Sequence, residues 1–87
     1  MDAPKIGKDK CSILIAEYAT GHVVKKDLTI YLNDDYEANV FQLFDNVNQA
    51  EHFISSFIKI NPQFECSIYN HNGEHLKTYD TLGERKF

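Results

Sequence analysis

The stretch IYNHNGEHLKTY, Ile68 to Tyr79, decides how this chain folds and whether it carries visible chemistry. It places His71 and His75 four residues apart and follows closely on Cys66. It also contains Asn70-His71-Asn72-Gly73, the composition of a hairpin turn. The turn can close in two ways. With Asn72-Gly73 as a two-residue loop, Cys66 pairs with Tyr79 and Ile68 with Lys77, and each face mixes apolar with charged groups. With Asn70 to Gly73 as a type I turn ending in a glycine bulge, Ile68 faces Leu76, Cys66 faces Thr78 and Tyr69 faces His75. One face is then apolar and the other polar. A shift of one residue turns every side chain over, so burial of one face selects the second register. In it His71 sits at the tip, His75 lies outside beside Tyr69, and Cys66 points inward. The three groups diverge, and no tetrahedral metal site is expected.

The same periodicity reasoning extends outward. KCSILIAEY and VVKKDLTIYL (Val23 to Leu32) read as strands, joined by a turn around Gly21. Lys25-Lys26-Asp27 interrupts the second and predicts a bulge or a late start. VFQLF (Val40 to Phe44) reads as a third strand, apolar on both faces. Ala50, Phe53, Ile54, Phe57 and Ile58 form one stripe of a 3.6-residue period and predict an amphipathic helix. Asn48 is placed to cap it, with Glu51 three residues on. Pro62 ends it. FECSIY and EHLKTY follow. The expected fold is α+β: a single domain with an antiparallel sheet of about five strands in the order β-β-β-α-β-β and one amphipathic helix packed on one face. Residues 1–9 read as a flexible N-terminal arm, 10–80 as the domain, and 81–87 as a C-terminal tail with little to pack against.

Eighty-seven residues, 43% hydrophobic, can build one small core. No apolar run approaches the roughly 20 residues of a membrane span, and the charged start MDAPKIGKDKC has no signal-peptide character, so a cytoplasmic protein is expected. Two cysteines, Cys11 and Cys66, are too few for a disulfide scaffold and read as buried thiols. From Asp27 to Glu84 two bases, Lys59 and Lys77, stand against ten acids, a net of −8 within a chain of net −4. Such a body repels a phosphate backbone, and nucleic acid is not an expected partner. It suits a basic protein.

The acidic stretch Asn33 to Glu37 lacks the alternating spacing and glycine of a calcium loop. The glycines stand singly, without a phosphate loop. No nucleophile has a base and an orienting group at recognisable spacing. No cofactor and no catalytic set are expected. Tyr31, Tyr69 and Tyr79 fall on outward strand faces in the chosen register, and Tyr18 joins them if Cys11, Ile13 and Ile15 face the helix. Tyrosine is enriched at protein interfaces. The expected function is therefore a small non-catalytic protein-binding domain, of the kind that inhibits a target stoichiometrically as immunity proteins and phage antagonists do. Its candidate partner-binding residues are Tyr31, Tyr69 and Tyr79 for affinity, with Asp34, Asp35 and Glu37 for encounter rate. The first alternative is a homodimer pairing through short edge strands, and the second is a small metal-binding protein or enzyme using His75, His71 or Cys66.

Overall fold

The computed structural model describes residues 3–32 and 40–85. The element order is β1 (Cys11–Glu17), β2 (Val23–Val24), β3 (Gln42–Phe44), α1 (Val47–Ile60), β4 (Phe64–Tyr69), β5 (His75–Asp80) and β6 (Gly83–Glu84). All pairings are antiparallel, in the order β2-β1-β4-β5-β6, with β3 sharing the β2 edge of β1. The α+β architecture of one helix on one antiparallel sheet is the expected one.

Burial follows from alternation along β1 and β4. Cys11, Ile13 and Ile15 of β1 and Phe64, Cys66 and Ile68 of β4 face the helix, where Ala50, Ile54 and Ile58 close over them. Each fully buried isoleucine removes enough apolar surface from water to contribute about 1.5–3 kcal/mol. Phe53 and Phe57 of the predicted stripe pack at the margin of this core. They stack on each other, and Phe44 and Phe64 extend the row at either end. The two thiols are buried and free. Cys66 stands opposite Ile15, four residues along β1 from Cys11.

Three local readings are corrected by the structure. The helix begins two residues early: Asn46, not Asn48, is the N-cap, and its side chain accepts a 2.8 Å hydrogen bond from the Gln49 amide. Asn46-x-x-Gln49 is as good a capping sequence as Asn48-x-x-Glu51, and starting there leaves Glu51 free to reach β5. The segment Val23 to Leu32 is not one interrupted strand. Lys25 to Leu28 make a turn, Leu28 N–H donating to the Lys25 carbonyl and Lys25 N–H to the Thr29 carbonyl, and Ile30 returns to bridge Val24. The Asp27 carboxylate holds the turn by accepting from both the amide and the hydroxyl of Thr29; these bonds keep its pKa below the usual carboxylate value. Finally, the segment beyond Asp80, expected to pack against little, turns back as β6.

The β4–β5 hairpin combines both registers. At its tip Gly73 (φ +84°) donates to the Asn70 carbonyl and Asn70 to the Glu74 carbonyl, the type I turn with a glycine bulge. Tyr69 pairs with His75 as expected for that turn. The register then shifts between Ile68 and Tyr69, and from there Ile68 faces Lys77, Ser67 faces Thr78 and Cys66 faces Tyr79. Leu76 is the extra residue. Above the turn, the pairs are those of the register that sequence alone disfavoured.

Candidate functional site

That bulge decides which side chains share a face. Tyr79 turns toward the helix, packs against the core and donates its hydroxyl hydrogen bond to the Glu51 carboxylate. Lys77 lies 3.6 Å from the same carboxylate. Desolvation and the Glu51 charge push the Tyr79 phenol up, and the neighbouring Tyr79 and Glu51 do the same to the Lys77 ammonium. Tyr69 stays on the opposite face. The expected outward trio is therefore divided: Tyr69 lies in the sheet centre, Tyr79 on the helix side, and Tyr31 beyond β2 at the far edge, its amide bonded to the Val23 carbonyl. Asp34, Asp35 and Glu37 lie outside the described residues.

The face opposite the helix carries an organised set instead. Near the hairpin tip, Tyr69 meets the ring of Phe41 edge-on at 6.2 Å and that of His75 at 5.6 Å. Burial raises the Tyr69 phenol pKa. Ser12, paired with Tyr69, is fully buried, and its hydroxyl has no hydrogen-bond partner among the described residues. In the middle, the Ser67 and Thr78 hydroxyls share a 2.8 Å hydrogen bond, and His75 Nε2 is 2.8 Å from the same Thr78 oxygen. At the other end Arg85 reaches across the strands. Its Nη2 is 2.7 Å from Glu65 Oε2, its Nε is 3.5 Å from Asp80 Oδ2, and its guanidinium carbon lies 5.2 Å from the centre of the Tyr18 ring. Glu65, Ser67, Tyr69, His75, Thr78 and Arg85 line a shallow groove of about 390 Å³.

The sequence motifs that raised metal chemistry are dispersed. Cys66 is in the core, where burial, with a contribution from Glu65, lifts its thiol pKa to about 12. His75 is on the other face, and the His71 carbonyl accepts from the Ile6 amide. Among the described residues, no three His, Cys, Asp or Glu side chains are grouped to hold a metal ion, and no helix is long and apolar enough to cross a membrane. The Ser67–Thr78–His75 chain has the reach of a nucleophile and base. However, the hydroxyl joining them belongs to Thr78, only 3% exposed and bound on both sides, which ties it to holding β4 and β5 together. Sequence reading missed Arg85 altogether; its one usable signal was that it is the chain's sole arginine, a residue type favoured for planar, two-pronged contacts. Comparison with protein-family models, with characterised proteins and with solved structures finds no match.

Proposed function

We propose that this chain is a small non-catalytic protein-binding domain that meets a basic protein partner with the sheet face opposite its helix. One observation carries the reading. Tyr18, Tyr69 and Arg85, residue types favoured at binding interfaces, stand on that single face and are fixed beforehand by ring contacts and ion pairs. Side chains already ordered lose little entropy when a partner arrives. The net charge of −4 favours encounter with a basic surface. A stoichiometric inhibitor of immunity-protein or phage-antagonist type, acting in the cytoplasm, fits this description.

The test is to identify the partner by capture from the native host's lysate and then titrate it, purified, against variants. Alanine at Tyr18 and Tyr69 together weakens binding by roughly thirtyfold or more, the scale of interface hot spots. His52→Ala, on the exposed side of α1, leaves it unchanged. Equal affinity for the double variant and the wild-type chain refutes the surface. Self-association is the second reading, supported by Leu43: it is 59% exposed on β3, which pairs with β1 alone among the described strands. Light scattering over a dilution series separates the two, because a monomer at every concentration removes the homodimer.

A further inference from the structure

The Arg85 guanidinium occupies a cage rather than a single ion pair. Tyr18 supplies an aromatic face, Glu65 a carboxylate for Nη2, and Asp80 a carboxylate toward Nε. Both acids are largely enclosed, with side chains 17% and 8% exposed, and Glu65 Oε2 is buried with no aligned hydrogen-bond donor among the described residues, its close neighbour being the Arg85 guanidinium at 2.7 Å. Its compensation is the charge of Arg85. A planar fork reaches all three walls at once, whereas the compact ammonium of lysine cannot bridge both acids while lying on the ring. The three walls come from β4, β5 and the residue after β1, so the cage belongs to the sheet itself. Its occupant is delivered by β6, the two-residue edge strand just before Arg85. Among the described strands it pairs with β5, both of its residues are exposed, and Leu82 in the turn before it is 88% exposed. An edge element with so little burial opens at low free-energy cost.

We propose that Tyr18, Glu65 and Asp80 form a guanidinium site for an arginine of the basic partner, and that Arg85 is a displaceable latch seated in it. The inference rests on reading this face as the partner surface and names the chemistry recognised there. An arginine from the partner competes with Arg85, so the resident side chain lowers the apparent affinity in proportion to the time it spends bound.

The experiment titrates N-acetyl-arginine amide, with N-acetyl-lysine amide beside it, into the full wild-type chain and into Arg85→Ala, following chemical shifts of the Glu65 and Asp80 backbone amides. Arg85→Ala binds the arginine probe about tenfold or more tighter than wild type and prefers it to the lysine probe. Adding Tyr18→Ala abolishes the gain. If Arg85→Ala does not fold, Arg85→Lys takes its place, keeping the charge but not the fork, and shows the same ordering. A folded Arg85→Ala or Arg85→Lys that binds arginine no better than wild type, or no better than it binds lysine, overturns the proposal. The probe needs no partner, so that failure removes the latch alone; the surface itself stands or falls with the Tyr18 and Tyr69 titration.

Discussion

Gly73 and Gly21 offer a controlled comparison of backbone strain with contact. Both have positive φ, +84° and +76°. A methyl group on Gly21 would meet nothing within 4 Å, whereas one on Gly73 would lie 2.7 Å from the Ala3 carbonyl oxygen. Alanine at either position takes on the left-handed penalty of about 1–2 kcal/mol. Roughly 0.4–1 kcal/mol of that is offset by the lower entropy of the unfolded chain. Gly21→Ala therefore costs about 1 kcal/mol net. Gly73→Ala must also push back the segment around Ala3, which is tied to the same turn by the Ile6 amide on the His71 carbonyl at 2.9 Å. Losing that backbone bond adds about 1 kcal/mol, for a total near 2. Urea unfolding reads the difference directly; in heating it is a further loss of about 4–8 °C. Removing residues 1–5 takes Ala3 away, and in that background the two substitutions become equal, as a double-mutant cycle requires. Equal costs in the full chain, or a difference that survives the truncation, would refute the claim that the N-terminal segment rests on this turn.

Asn46→Ala destabilises by about 1 kcal/mol, the usual cost of a lost N-cap, while Asn48→Ala stays within about 0.5 kcal/mol as an exposed position without a cap to lose; urea midpoints separate them. Tyr79→Phe removes the hydrogen bond to Glu51 that joins β5 to α1 and costs about 1 kcal/mol by the same measurement. Cys66 ionises near 12 when folded but near 8.5 in an unfolded chain. The unfolded state therefore loses its proton first: the stability from this thiol is intact below about pH 8.5 and declines as pH rises toward 12. Cys66→Ala makes that alkaline decline shallower, as urea midpoints across the range will show, although Cys11, Tyr69 and Tyr79, also shifted upward, keep part of it.

What the sequence disclosed was what burial alone determines. The stripe from Ala50 to Ile58 could bury itself only as a helix, and the alternation Phe64, Cys66, Ile68 could face only that helix. The Asn70 to Gly73 turn was legible because glycine marks the left-handed position. The matching turn at Lys25 to Leu28 was hidden for the same reason. It makes the same pair of hydrogen bonds, but Leu28 occupies the left-handed position at φ +68°, where a leucine gives no turn signal. The candidate surface was less legible still. Tyr18 and Tyr69 share the back face with Arg85, yet Arg85 is brought there by a two-residue strand too short to leave a periodic pattern.

The division of the tyrosines rests on a single residue, and this can be tested by removing it. Alternation should put residues 75, 77 and 79 of β5 on one face. Leu76 breaks this: His75 lies on the back face beside Tyr69, while Lys77 and Tyr79 face the helix. A bulge absorbs one extra residue and then lets the ladder resume. Deleting Leu76 leaves His75, Lys77 and Thr78 in strict alternation, with each still opposite its present partner. The side chain lost is 44% exposed, so the deletion alters stability by no more than about 1 kcal/mol and keeps the Tyr79–Glu51 contact. Deleting Thr78 instead turns Tyr79 away from the core and removes the hydroxyl shared by Ser67 and His75; that chain is several kcal/mol less stable, on the order of a domain's whole stability. Circular dichroism melts rank the two, and amide exchange along β5 shows whether its ladder survives. A Leu76 deletion that melts with the Thr78 deletion would mean that Leu76 holds the hairpin together by its own packing, and that the face each tyrosine takes has another cause.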